Sequence, residues 1–230
     1  MGIQERKERE KERRKEEILD AAQRVFVEKG LTTATVDDIA VAAELSKGTL
    51  YLYFESKEDI YLAIMMRGLR LLHSMFDEII SQETSIVKIL YRMEKAYTEF
   101  FNTQRHYFRM LNSAHRPNVH KEVSEAMRRA YAAESKKNWE QIIDLFNRGV
   151  REKKVRNDIS PVEMAVIIWS NATSLMTRID REGEIWKKER NIDLTQTLEA
   201  SFHLLMDAIL TPDARLEYAV LRESESCKRP

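Results

Sequence analysis

With one cysteine in 230 residues, Cys227 near the carboxy terminus, the chain can close no internal disulfide, and a reducing, cytoplasmic setting is expected. Glycine and proline are scarce, 6 and 4 residues, so the turns that join many short strands have few residues to build them. No apolar run approaches the roughly 18 residues of a membrane-spanning helix. The amino terminus is charged where a secretion signal would be apolar, so a soluble protein with no membrane partner is expected. Neither sign of charge dominates: 38 basic side chains stand against 38 acidic ones, which removes any strong overall attraction to nucleic acid. Catalytic signatures are missing as well, with no HExxH, paired CxxC, glycine-rich phosphate loop or GxSxG. The histidines His73, His106, His115, His120 and His203 are scattered, and only His115 and His120 lie close together, around an RPNV loop. No metal, no cofactor and no enzymatic activity are expected.

What is present is helix-forming sequence. Long runs of Leu, Ile, Met, Ala, Glu, Lys and Arg, with 33% charged residues and no convincing strand pattern, predict an all-α protein. Its length suits one small module and a larger second domain with its own core. Charge is unevenly spread. Residues 6–15, RKEREKERRK, hold seven basic and three acidic side chains, net +4, whereas residues 16–60 hold four basic and ten acidic, net −6. The basic extension reads either as a charged helix or arm that solvates the amino terminus, or as an arm that lies along phosphates.

Residues 35–57, TVDDIAVAAELSKGTLYLYFESK, carry the most specific pattern. Ile39, Ala40 and Ala43 repeat at helical spacing after a candidate N-cap at Thr35, and Ser46 can cap a second helix opening with Lys47, Gly48 and Thr49. A short helix, a tight turn and a second short helix rich in small polar and aromatic groups form a helix-turn-helix, whose second helix enters the DNA major groove. Small residues there allow close approach to phosphates, and Lys47 and Thr49 can reach base edges.

Together with the preceding EEILDAAQRVFVEKG, in which Ile18, Ala22, Val25 and Phe26 form a buried stripe closed by Gly30, and the following SKGTLYLYFESKEDIY, residues 14–62 resemble the DNA-binding domain of the TetR/AcrR family of transcriptional regulators. One departure is Glu44, where the family often has glycine in the turn; a left-handed backbone there costs a residue with a Cβ roughly 1 kcal/mol. The resemblance implies a homodimer that binds double-stranded operator DNA, with Thr35, Ser46, Lys47, Gly48, Thr49, Tyr51, Tyr53 and Lys57 at the DNA, the tyrosines, Thr35 and Lys57 mainly on phosphates. Leu50 and Phe54 are expected in the small domain's core.

The domains expected are a charged extension over 1–13, the helix-turn-helix domain over 14–60, a ligand-binding and dimerisation domain over 61–212, and a polar tail over 213–230. A helix from Lys57 to about residue 80, roughly 35 Å long, links the first two domains. Helices follow at about 85–103, 105–114, 119–153, 161–181 and 194–210, punctuated by His115 to Asn118, Gly149, Asn157-Asp158 and Ser160-Pro161. The segments 161–181 and 194–210 are apolar beyond one stripe, and the resemblance makes them the dimer interface; packing inside one monomer is the plain alternative.

Soft and aromatic side chains crowd the larger domain. Most are core, but the resemblance places a ligand cavity among the same helices, which implies a hydrophobic or aromatic small-molecule effector and a repressor released by it. Candidate lining residues are Met65, Leu69, His73, Phe76, Tyr97, Phe100, Phe108, Trp139 and Trp169, with His73, Tyr97, Asn138 and Asn171 as possible polar anchors. Two rivals stand beside this reading: an all-α small-molecule binding protein without specific DNA recognition, and a helical enzyme for which no nucleophile, base or metal cluster is evident.

Overall fold

The computed structural model describes residues 2–113 and 123–226. Within them the chain forms ten helices and no strand: α1 (Ile3–Thr33), α2 (Val36–Ala42), α3 (Lys47–Tyr51), α4 (Lys57–Gln82), α5 (Ile86–Thr103), α6 (Arg105–Ser113), α7 (Glu125–Arg151), α8 (Pro161–Arg190), α9 (Leu194–Ile209) and α10 (Pro212–Ser226). An isolated antiparallel bridge joins Val155 to Leu210. His115, Arg116, Pro117, Asn118, His120 and Cys227, weighed above as loop, metal and tail residues, lie outside the described residues.

The chain divides into two compact units, one holding α1–α3, α4 up to Arg70 and α7 up to Ser135, the other holding α4 from Leu71, α5, most of α6, α7 from Lys136 and α8–α10. In the first unit the stripe Ile18, Ala22, Val25 and Phe26 is buried as its helical spacing requires, together with Ile39, Leu50, Phe54 and Ile60. Phe26 meets the edge of Tyr61, ring centroids 5.2 Å apart. Gly30 interrupts α1 with φ 74 and ψ 160, a backbone state that glycine adopts without steric cost. Before that kink α1 runs unbroken from Ile3, so the basic extension is the helix's own first turns, laced by pairs such as Arg14–Glu17 at 2.8 Å. Arg67 of α4 holds Asp20 of α1 at 2.7 Å and also pairs with Glu16.

In the second unit, α5, α7, α8, α9 and α10 surround a core of Phe76, Leu90, Phe100, Phe146, Met164, Met176, Phe202 and Met206. Two expectations change here. The stretch 213–230, read as a polar tail, holds α10, which starts at Pro212 and buries Ala214 and Tyr218 on the i, i+4 spacing of one helical face. Glu217 also hydrogen-bonds Ser85, the N-cap of α5. The helix starting at Pro161 runs on past 181 to Arg190. Arg178 and Trp186 both reach Glu182, at 3.1 and 3.0 Å, and Lys187, Lys188 and Arg190 favour the carboxy-terminal dipole before Asn191 ends the helix with a left-handed backbone.

Gly149, within the expected helix 119–153, lies inside α7. The chain turns back over it, and the amides of Lys154 and Val155 both donate to its carbonyl, at 2.9 and 3.1 Å.

Candidate nucleic-acid interface and ligand cavity

The two short helices owe their limits to side-chain caps. Thr35 accepts from the Asp38 amide at 3.1 Å while the Asp38 carboxylate accepts from the Thr35 amide at 3.0 Å, a reciprocal capping box. Asp38 also pairs with Lys29 at 2.8 Å, and the Lys29 and Thr35 hydrogen bonds hold its carboxyl down at about 2. Ser46 caps α3 by accepting from the Thr49 amide at 3.1 Å. Between the helices Glu44 takes φ 54, the left-handed state expected of a glycine in this turn. Leu50 and Phe54 point inward and are buried, whereas Lys47, Gly48 and Tyr51 are exposed.

Not all the expected DNA-facing groups are idle in this state. Lys47 pairs with Asp37 at 3.2 Å, and the Thr49 hydroxyl lies 2.8 Å from that of Ser46. Lys57 donates to the carbonyls of Leu31 and Ala34 at 3.0 and 2.9 Å. It thereby satisfies carbonyls at the end of α1, a use that spacing alone does not reveal.

In the second unit a cavity leaves about 550 Å³ free of atoms, part of it open to solvent, among α4, α5, α7, α8 and α9. Of the candidate residues, Phe76, Tyr97 and Trp169 line it, joined by Leu90, Met93, Phe202 and Met206. Tyr97 stacks on Trp169, centroids 4.6 Å apart, and its hydroxyl is 2.9 Å from that of Thr173. Burial drives the Tyr97 pKa upward, so it stays a neutral phenol. Trp139 stands behind Trp169 at 5.9 Å.

Other candidates lie elsewhere. Met65 and Leu69 are buried in the first unit; Phe100 and Phe108 belong to the core, Phe108 packed edge-on to Phe101 at 4.8 Å. His73 pairs with Asp77 through Nε2 at 3.2 Å, and its buried Nδ1 has no hydrogen-bond partner among the described residues. Asn138 and Asn171 are not among the lining residues.

Sequence reasoning passed over Glu94, which is among the residues lining the same cavity, with only 4% of its side chain exposed. The Tyr218 hydroxyl donates to Oε2 at 2.8 Å, and burial raises the carboxyl's pKa against the opposing pull of Tyr218 and Lys95. The signal was there: an acid on a stripe that otherwise reads Leu90, Tyr97 and Phe101.

A capped helix, a tight turn and a second capped helix that buries Leu50 and Phe54 while exposing Lys47 and Tyr51 define a helix-turn-helix domain. Residues 18–64 match the model of the bacterial regulatory proteins of the tetR family, so this domain is similar to the DNA-binding domain of that family. The uncharacterized HTH-type transcriptional regulator YfiR of Bacillus subtilis (strain 168) is 41% identical over 59 residues, 26% of this chain and 29% of that protein. The chain thus spans less than a third of that relative's length. The HTH-type transcriptional repressor KstR2 of Mycobacterium tuberculosis is 26% identical over 175 residues, 74% of this chain and 82% of its own. Among solved structures, the transcriptional regulator FadR from Bacillus subtilis in complex with stearoyl-CoA superposes with a TM-score of 0.65 at 18% identity, covering 83% of this chain and 96% of that one. This last likeness concerns the fold. No described helix is long and apolar enough to cross a membrane, and no three His, Cys, Asp or Glu side chains among the described residues could hold a metal ion.

Proposed function

We propose that the protein is a transcriptional repressor that binds operator DNA as a homodimer and is released by a hydrophobic small molecule. The observation that carries this reading is α3 itself, a capped helix held by buried Leu50 and Phe54 with Lys47, Gly48 and Tyr51 exposed, in a domain that matches the tetR family model. In it, Lys47 and Thr49 read base edges, while Thr35, Ser46, Tyr51, Tyr53 and Lys57 hold the chain on phosphates. Lys47 exchanges Asp37 for DNA, a trade between exposed partners that costs little.

Dimerisation is supported by apolar surface that the monomer leaves uncovered: Val162, Val166 and Ile167 of α8 are 45–51% exposed, and Leu204 of α9 is 72% exposed. A two-fold pair of reading heads suits half-sites one helical turn apart, roughly 34 Å. The effector site is the cavity, whose lining is apolar and aromatic as small-molecule pockets are. KstR2 is named a repressor, which favours repression, and FadR was solved with stearoyl-CoA, whose long acyl chain favours a ligand with an apolar body. Helices α4 and α7 have residues in both units, so a ligand that shifts either helix changes the geometry of the reading heads. Strong switching needs a ligand that prefers the DNA-incompatible state by about 5 kcal/mol.

Selection from random duplexes tests the reading. Purified protein should enrich a single palindromic sequence and bind it with one dimer per site. A hydrophobic ligand that alters Trp169 fluorescence should weaken that binding. Enrichment of no sequence would leave a small-molecule binding protein in its place.

A further inference from the structure

Two residues of the α3 segment have no reason inside the monomer. Gly48 weakens a helix relative to alanine, its backbone is not left-handed, and a Cβ built there would meet only Ser46 Oγ among the described residues, at 3.8 Å. The chain's own packing does not require the glycine. Leu52, the C-cap of α3, is 77% exposed, whereas Leu50 two residues earlier is buried. Its φ of −72 and ψ of −17 continue the helical course, so Gly48 and Leu52, four residues apart, share one face with exposed Lys47 and Tyr51, away from buried Leu50 and Phe54. A lone exposed leucine calls for no explanation. One set a helical turn from an equally unexplained glycine, on the outer face of this helix, does.

We propose that Leu52 selects thymine, its side chain packed on a thymine 5-methyl group in the major groove, and that Gly48 leaves the room that brings α3 close enough for that contact. This rests on the reading of α3 as the helix that enters operator DNA and adds a base that it chooses. The thymine methyl is the apolar group that base pairs display in the major groove, beside hydrogen-bond donors and acceptors. Leucine can bond to none of those polar groups. Packing it against them would strip their water without replacing it, which penalises the other bases at that position. Lys47 and Thr49 choose by hydrogen bonds, so an apolar contact from Leu52 discriminates where they do not.

The operator recovered from random duplexes supplies the test. Each thymine is replaced singly by deoxyuridine, which deletes the methyl and keeps the pairing, and affinity is measured with the full-length protein. One thymine in each half-site should respond, with a loss of about fourfold per half-site, the worth of one buried methyl. Leu52→Ala, at an exposed position, should fold as the wild type does and weaken binding to the thymine operator by about four- to tenfold. Its response to the deoxyuridine replacement should fall below about twofold, the coupling expected of two groups in contact. Gly48→Ala should unfold at the same or a higher temperature and yet bind the operator more weakly. Indifference to deoxyuridine at every thymine, or an undiminished response in Leu52→Ala, overturns the thymine contact while leaving α3 as the reading helix. Wild-type operator affinity in Gly48→Ala overturns the close approach. Enrichment of no sequence overturns the operator reading and the thymine contact together.

Discussion

At the scale of single residues, Glu44 and Lys57 each serve against their usual type. Glu44 sits in the left-handed region in the turn between α2 and α3, and its Cβ strain costs roughly 1–2 kcal/mol. Glycine relieves that strain but adds about 0.4–1 kcal/mol of unfolded-state entropy. Glu44→Gly should therefore stabilise the reading domain by roughly 0.5–1 kcal/mol, read as a higher denaturant midpoint. Lys57 has two of its three ammonium protons on the carbonyls of Leu31 and Ala34. Losing those charged hydrogen bonds in Lys57→Ala should destabilise the domain by about 2 kcal/mol. If the third proton also meets a phosphate, the same variant flattens the salt dependence of operator binding by about 0.9 per subunit. An unchanged slope with lost stability would make Lys57 a helix clip and nothing more.

At the scale of elements, close approach decides what spacing cannot. A Cβ built on Gly149 would stand 2.6 Å from Val155 Cγ2, because the chain folds back over α7 there. Gly149→Ala should cost about 1–3 kcal/mol despite alanine's better helix propensity, measurable by thermal unfolding. The α2–α3 pair was legible in the sequence because Thr35 and Ser46 act locally and Leu50 and Phe54 repeat at helical spacing. In contrast, α10 was hidden: its buried Ala214 and Tyr218 are embedded among Arg215, Glu217 and Arg222, and composition outweighed periodicity. The cavity was half legible. Phe76, Tyr97 and Trp169 line it, but which other aromatic residues face inward depends on helix rotation, a tertiary fact; Phe100 and Phe108 turn into the core. Glu94 escaped notice because an acid in a helix is counted as solvent-facing until its neighbours are known.

At the scale of the whole molecule, assembly depends on side chains the monomer does not need. Leu205, an apolar residue of the segment 194–210, is half-buried, so a charge there would disturb the monomer's own packing as well. Leu204 is 72% exposed and supports no monomer core, so Leu204→Glu should leave folding intact. Buried in a two-fold interface, the same carboxylate would be unpaired on both subunits, a cost of several kcal/mol. The expected outcome is a folded monomer by sedimentation, with unchanged helical signal. Operator affinity should then fall by about 10²–10⁴, since the second reading head no longer benefits from the effective concentration that tethering supplies. A Leu204→Glu protein that stays dimeric would move the interface to another uncovered apolar face, such as that of Leu216 and Val220 on α10, 71% and 64% exposed. A monomer that kept full operator affinity would instead show that one reading head suffices, and the two-fold operator would lose its physical basis.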